Sequence, residues 1–183
     1  MITHETIEGC KRNSNIAQKK LFDVFSREMF NVCFRYLKQD ENAEDALSRG
    51  FTKIFHSITH FEYRENSSLK AWIKKIMINE CLMELRKKNS LTLVSEDMAE
   101  EVVYNDSGLE KIDAVYIIDA IKSLPAGYRT VLNLFAIEGY SHGEIAEMLG
   151  INEGTSRSQL NKARRLLKQK LLNEAENYGQ RKI

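Results

Sequence analysis

Apolar residues recur at helical spacing along most of the chain and predict a series of amphipathic helices. Residues 18–37 form the first such stretch and residues 43–58 the second, each with a broad apolar face. A loop of mixed polarity is predicted over 61–68, with Ser68 as the N-cap of a third helix that reaches about residue 88. No run of alternating Val, Ile and Thr predicts a sheet, and Pro125 is the single proline. The pattern predicts an all-α protein.

The second half of the chain begins with a break in this pattern. Residues 89–110 lose the helical periodicity and are acidic, which is typical of a flexible linker. Helical spacing resumes near Ile112, and Pro125 is suited to the first turn of a further helix that runs to Gly139. The predicted architecture is two small helical domains, residues 1–90 and 111–183, joined by an acidic linker over 91–110.

The distribution of charge divides the chain into the same three parts. Residues 1–90 carry 16 Lys and Arg against 12 Asp and Glu, and residues 111–183 carry 11 bases against eight acids. Residues 91–110 carry six acids and no base. The formal net charge of +1 therefore conceals two basic modules on either side of an acidic connector.

The cysteines and the absence of long apolar runs indicate a cellular compartment. Cys10, Cys33 and Cys81 are widely spaced and form no CxxC pair, as expected of reduced thiols. The N-terminus has no apolar h-region, and no apolar run approaches the length of a membrane span. We expect a cytoplasmic protein with no direct membrane insertion.

Residues 139–172 have the pattern of a helix-turn-helix. Ser141 and Glu144 fit a capping box at the start of a short helix. Gly150 stands where the chain must turn sharply, since glycine adopts a left-handed backbone conformation at no steric cost. Asn152 is then predicted to cap a second helix that runs to about residue 172.

The second of these helices has the character of a DNA-reading helix. Six bases and no acid lie between Thr155 and Leu172. In a helix-turn-helix, the first turns of this helix reach base edges in the major groove, and later cations meet phosphates. Its inward position is Ser156, where Val or Ile is usual, so Leu160 is expected to supply most of the packing. A cationic, solvated helix end is the alternative interpretation.

Together these segments resemble the bacterial sigma-70 family. GYSHGEIAEMLGINEGTSRSQL and KARRLLKQKL are similar to the −35 recognition motif of its region 4.2. NAEDALSRGFTKIF resembles the helix of region 2 that docks on RNA polymerase, and FEYRENSSLKAWIKKIMINECLMELRKK resembles the −10 loop and the helix behind it. No segment resembles regions 1.1 or 3, so the similarity is to the small extracytoplasmic-function (ECF) type. It implies a sigma factor that binds core RNA polymerase and directs promoter-specific initiation.

The resemblance also implies which residues contact DNA. At the −35 element, the first turns of the second helix would approach base edges, and neighbouring residues would approach the backbone. At the −10 element, the loop of the first domain would capture an extruded base, which requires hydrogen-bonding groups and a stacking surface. The implied −35 set is Thr155, Ser156, Arg157, Ser158, Asn161, Lys162, Arg164 and Arg165. The implied −10 set is Tyr63, Arg64, Asn66, Ser67, Ser68, Lys70, Lys74 and Lys75.

The implied polymerase-docking helix both keeps the family pattern and departs from it. Glu44, Asp45, Leu47 and Phe51 keep the pattern. Where the family often has Gln-Glu and a β-branched residue, this chain has Ser48-Arg49-Gly50. The arginine alters the charge of the expected contact surface, and a glycine weakens a helix by roughly 1 kcal/mol relative to alanine.

Two further expectations come from the resemblance alone. An anti-sigma factor is an implied partner, alongside core RNA polymerase and promoter DNA. The acidic connector is either a solvated tether or a segment that mimics nucleic acid inside a basic polymerase channel.

Other kinds of chemistry find little support in the sequence. His56 and His60 have the i, i+4 spacing of metal ligands, but the glutamate of a zinc-protease motif and an obvious third ligand are absent. We therefore expect no metal, no cofactor and no catalytic residues. A conventional helix-turn-helix regulator that acts without core docking is the alternative function. A nucleic-acid enzyme with an appended helix-turn-helix would need clustered carboxylates or a metal site.

Overall fold

The computed structural model describes residues 2–88 and 114–180, with the side chains of 117–172 in the second stretch. Within these ranges every regular element is helical, which confirms the predicted all-α class. The chain divides into two compact units, Met1–Lys88 (unit 1) and Asn89–Ile183 (unit 2). The acidic linker predicted over 91–110 lies outside the described residues.

Unit 1 is built around a three-helix core with a short helix added at its N-terminal end. The helices are α1 (His4–Lys11), α2 (Asn15–Leu37), α3 (Asp40–Ser57) and α4 (Asn66–Lys87), and a 3-10 turn (Ile58–His60) follows α3. Helices α2, α3 and α4 all pack against one another, and α1 packs on α2. Fully buried side chains from each of the three long helices fill the core, among them Leu21, Met29, Tyr36, Ile54, Ile73 and Met77.

Two features of unit 1 differ from the prediction. Helix α1 was not predicted, because its apolar residues are too few to mark an amphipathic face and burial of Ile7 and Cys10 becomes evident only on packing. Helix α4 begins at Asn66 with Glu65 as its N-cap, so the prediction of Ser68 as N-cap is wrong. Ser68 instead lies in the first turn, where its Oγ accepts from the Glu65 N–H at 3.4 Å and donates to the Glu65 carbonyl at 2.8 Å. These two bonds pair the backbone N–H and carbonyl of Glu65 with a side chain from the first turn of α4.

Gly50 has a packing role that helix propensity alone does not reveal. It is buried on α3, and a Cβ at this position would overlap the Sδ and Cε atoms of Met77 on α4. Helices α3 and α4 approach closely here because residue 50 has no side chain. The glycine weakens α3 locally, and the close packing of two helices offsets that cost.

Unit 2 contains α5 (Ala114–Ser123), α6 (Ala126–Leu132), α7 (His142–Leu149) and α8 (Glu153–Gln180). Pro125 is the N-cap of α6, one position before the predicted first turn, and α6 continues into a π-helical segment, Asn133–Ile137. Helix α8 extends beyond the predicted end near residue 172, to Gln180.

A buried arginine joins the first two helices of unit 2. Arg129 is 3% exposed, and its Nη1 donates to the Leu124 carbonyl at 2.7 Å. That carbonyl lies just beyond the end of α5, where a backbone acceptor has no partner within the helix. Burial lowers the pKa of Arg129 to about 10, so the guanidinium remains charged at neutral pH.

Candidate nucleic-acid interface

Helices α7 and α8 form the predicted helix-turn-helix, and its local signals are confirmed. The Ser141 N–H donates to Glu144 Oε2 at 2.8 Å, and the Glu144 N–H donates to Ser141 Oγ at 3.3 Å, which completes the capping box. Gly150 ends α7 with φ of +67°, in the left-handed region. Asn152 Oδ1 accepts from the Thr155 N–H at 2.7 Å and caps α8.

The inward serine of α8 has a polar partner on α7. Ser156 is 0% exposed, and its Oγ lies 2.8 Å from His142 Nδ1. Leu160, which the sequence predicts as the main packing residue here, is 2% exposed. A hydrogen bond between the two helices therefore occupies the position where an aliphatic contact is usual.

Phe135, an aromatic residue of the π-helical segment, contacts both His142 and Arg164. The ring of Phe135 stacks on His142 with centroids 4.6 Å apart, and the Arg164 guanidinium lies 5.6 Å from the centre of the same phenyl ring. Burial, followed by the nearby charge of Arg157, lowers the pKa of His142 from its ordinary value. The imidazole is therefore neutral at pH 7, which suits a hydrogen bond with a serine hydroxyl.

The predicted −35 residues divide into exposed and buried groups. Thr155, Ser156 and Ser158 are 6%, 0% and 8% exposed, so their side chains lie inside unit 2. Exposed or half-buried side chains are those of Arg157, Asn161, Lys162, Arg164 and Arg165. Arg157 pairs with Glu153 at 2.9 Å on the exposed surface, a contact that solvent screens. The surface that α8 can present to DNA is thus a cationic one.

The predicted −10 residues cluster at the start of α4 and in the loop before it. Tyr63 is half-buried, whereas Arg64 has a side chain that is 81% exposed. Ser67 and Ser68 both bond to Glu65 at the start of the helix, and Asn66 is its first residue. The described loop therefore combines an ordered helix start with an exposed cation.

The three lysines of this set follow along α4. Lys70 forms an ion pair with Glu28 of α2 at 2.7 Å, and both side chains are 46% exposed. Lys75 is exposed and Lys74 is half-buried. All three lie within the first ten residues of α4, so their charges are close to the loop.

The predicted docking residues lie on α3 with unequal exposure. Glu44 and Asp45 are exposed, Leu47 is half-buried, and Phe51 is 3% exposed. The Phe51 ring lies 4.7 Å from that of Phe22 on α2, which is 39% exposed. Phe51 thus supports an aromatic surface rather than forming its outer face.

Arg49, the departure in this helix, is paired within unit 1. Its Nε lies 3.3 Å from Glu80 and its Nη2 lies 3.1 Å from Glu84, both on α4. Lys53, one turn further along α3, lies 2.5 Å from Glu80, whose side chain is only 2% exposed. Glu80 was not predicted as a functional residue. Its place among the inward positions of α4 is a signal, because a buried carboxylate requires cations from a neighbouring helix.

Among the described residues, no group of three His, Cys, Asp or Glu side chains is arranged to hold a metal. His56 Nδ1 lies 2.7 Å from the Thr52 carbonyl of its own helix. The three cysteines are free and buried. No helix in the described ranges has the length and apolar character needed to span a bilayer.

These features define a helical DNA-binding protein with a helix-turn-helix, and comparison with known proteins gives its family. Residues 21–91 match the model of sigma-70 region 2, and residues 114–167 match that of sigma-70, region 4. The two matched segments together cover more than half of the chain. The chain belongs to the sigma-70 family.

Individual relatives are named as RNA polymerase sigma factors, among them factors of the predicted ECF type. The ECF RNA polymerase sigma factor SigW of Bacillus subtilis is 26% identical over 184 residues, which cover 93% of this chain and 97% of that protein. The RNA polymerase sigma-H factor of Pseudomonas aeruginosa is 25% identical, over 96% of this chain and 100% of that protein. The fold resembles that of the sigma factor RpoE of Bartonella quintana, solved with the anti-sigma factor NepR, with a TM-score of 0.52 and 23% identity over 84% of this chain and 95% of that one.

Proposed function

We propose that this chain is a promoter-specificity subunit of RNA polymerase, which binds the core enzyme and directs initiation at promoters with −10 and −35 elements. The observation that carries the proposal is that one chain matches both DNA-reading regions of the family, in the family's order. A conventional helix-turn-helix regulator would account for region 4 alone. The chain acts in the cytoplasm and has no catalytic role of its own, because polymerisation belongs to the core enzyme.

We propose that α8 reads the −35 element through its exposed side chains. Arg157 lies in the first turns of α8, where helix-turn-helix proteins reach base edges, and bidentate contact of arginine with guanine is the commonest specific pairing. Asn161 and Lys162 follow one turn later, and Arg164 and Arg165 are suited to phosphates. The buried Thr155, Ser156 and Ser158 contribute by fixing the helix rather than by touching bases.

We propose that the loop before α4 and the first turns of α4 hold the −10 strand. An extruded base requires a stacking surface and hydrogen-bonding groups, and Tyr63, Asn66 and Arg64 offer them side by side. Ser67 and Ser68 order the helix start through Glu65. Lys70, Lys74 and Lys75 lie within one helical segment behind the loop and are suited to the phosphates of the single strand.

We propose that the surface of α3 docks on the polymerase. Glu44 and Asp45 supply exposed acids, and Leu47 and the Phe22–Phe51 pair supply apolar surface. The positive charge of Arg49 does not oppose this role, because Arg49 forms ion pairs with Glu80 and Glu84 within unit 1. The arginine that departs from the family pattern is thus paired with acids of α4.

Run-off transcription tests this function. The purified chain is added to bacterial core RNA polymerase on genomic fragments, and start sites are mapped. We expect discrete starts that require the chain, and we expect them to be lost with Arg157→Ala combined with Arg165→Ala. Duplex binding by the isolated chain without any effect on core polymerase would instead support the conventional regulator.

We also propose that an anti-sigma factor binds this chain, as the family resemblance implies. The structurally similar RpoE of Bartonella quintana was solved with such a partner. Affinity purification of the tagged chain from its own cells, with and without added core polymerase, tests this. A partner that competes with core polymerase is expected, and recovery of core polymerase alone would contradict the proposal.

A further inference from the structure

The proposed −10 loop rests against the N-terminal helix of the chain. The Tyr63 hydroxyl donates to the Ile2 carbonyl at 3.2 Å, across 61 positions of sequence. Ile2 is itself 2% exposed. The aromatic residue most suited to stack on an extruded base is therefore tethered to a backbone group that is fixed in the core.

Helix α1 is held firmly enough to serve as such an anchor. Ile7 and Cys10 are 0% exposed, and Thr3 Oγ1 caps the helix by accepting from the Thr6 N–H at 3.3 Å. At Gly9 the helix passes so close to α2 that a Cβ would lie 2.7 Å from that of Ala17. Packing of this closeness restricts sliding of α1 along α2, so the position of Ile2 is set by the fold.

His4 lies at the exposed side of this contact. Its side chain is exposed, and its ring meets that of Tyr63 in an edge-to-face arrangement with centroids 6.2 Å apart. An imidazole offers a π-face and two ring nitrogens for hydrogen bonds. Two aromatic rings at this angle form a corner, and a base placed in such a corner gains stacking on one wall and an edge contact on the other.

The charge of the loop is compatible with a nucleic-acid strand in this corner. Glu62 lies 3.8 Å from Arg64, and the Glu65 carboxylate accepts from the Ser67 hydroxyl at the start of α4. Arg64 on the loop and Lys75 on α4 supply exposed positive charge beside these acids.

We infer that His4 is an additional base-contacting residue of the −10 single-strand site, and that the Ile2–Tyr63 hydrogen bond positions this site. The inference rests on the proposed function, and it adds α1 to the elements that read the promoter. The ligand is an unpaired nucleobase of the −10 strand, placed in the corner that the imidazole of His4 and the ring of Tyr63 form.

The test uses holoenzyme assembled from the full chain and core polymerase. The probe is a forked DNA that carries a mapped promoter's −10 non-template strand as a single strand. His4→Ala is expected to weaken retention of the fork at least about fivefold, the loss of one stacking contact. His4→Phe keeps an aromatic face and should retain most of the binding. Tyr63→Phe keeps the ring, loses the tether to Ile2, and should give an intermediate loss.

His56→Ala is the matched control, because His56 is also an exposed histidine of unit 1 and bonds within its own helix. It should bind the fork like the wild type. Binding of a fully duplex −35 fragment should be unchanged in every variant. The fluorescence of Trp72, the single tryptophan, should give the wild-type urea midpoint for the His4 and His56 variants and so report an intact unit 1.

The outcomes separate the inference from the function on which it rests. Absence of promoter-specific starts with the wild-type chain overturns the proposed function itself. Normal starts together with equal fork retention by wild type and His4→Ala overturn the inference alone. A lowered urea midpoint in both His4→Ala and His4→Phe would assign His4 a folding role and would also overturn it.

Discussion

The cations around Glu80 provide a direct test of how unit 1 accommodates Arg49. Glu80 is a buried residue on α4. Its carboxylate oxygens lie 3.3 Å from Arg49 Nε and 2.5 Å from Lys53 Nζ, and both cations are on α3. We consider Arg49→Ala, Lys53→Ala and the double variant. Each single variant leaves Glu80 with one cation, whereas the double variant leaves a buried carboxylate with neither.

The expected losses in the free energy of unfolding follow from how exposed the three side chains are. The side chains of Arg49 and Lys53 are 43% and 55% exposed, so solvent screens each contact and a single loss should cost about 0.5–1 kcal/mol. Glu80 is 2% exposed, and leaving a buried charge without its partners costs roughly 3–5 kcal/mol. The double variant should therefore lose about 2 kcal/mol more than the sum of the two singles.

Urea unfolding followed by fluorescence measures this energy for unit 1 alone. Trp72 is the only tryptophan of the chain and lies in α4, stacked on Phe61 at 4.6 Å. Its signal therefore reports the unit that contains the cluster, even if unit 2 unfolds separately.

Additive losses in the double variant would refute the reasoning, since they would mean that Glu80 does not depend on the two cations jointly. Glu80→Gln provides the matched control. A neutral amide requires no counter-charge, so adding it to the Arg49→Ala/Lys53→Ala background should recover much of the lost stability. Failure of this rescue would assign the loss to packing rather than to charge.

Four further outcomes are expected. His142→Ala and Ser156→Val should each lower the stability of α7 and α8 by about 1 kcal/mol, and the combined variant should lose less than their sum, as measured by amide hydrogen exchange. Burial lowers the pKa of His142 in the folded state, so the unfolded chain binds the extra proton more readily. The stability of the helix-turn-helix is therefore greatest above the ordinary histidine pKa and decreases as pH falls from that value to below the lower folded-state pKa, and His142→Ala should flatten this dependence. Gly50→Ala should destabilise unit 1 by about 1 kcal/mol, since overlap with Met77 outweighs the gain in helix propensity, and a stabilised urea midpoint would contradict this. Binding of duplex −35 DNA should weaken with salt at a log–log slope of about −4 to −5, and a slope near zero would exclude phosphate contacts by α8.

The sequence was sufficient where the determinants are local. The capping box of Ser141 and Glu144, the left-handed turn at Gly150 and the cap at Asn152 all depend on residues within four positions of each other. The all-α class follows from apolar spacing over whole helices in the same way. The resemblance to the sigma-70 family followed from such local motifs read in order, and it is confirmed by the matches to both regions.

Tertiary structure decided the contacts between residues distant in sequence. The sequence predicted that Arg49 alters the docking surface. In the structure its guanidinium instead pairs with Glu80 and Glu84, which are more than 30 positions away. Gly50 appeared to weaken a helix, yet it allows α3 to pack closely against Met77. Helix α1 and its tether to Tyr63 had no signal in the periodicity at all. Local spacing fixes helices and turns because it acts within one helical turn, whereas burial and charge pairing depend on which helices meet.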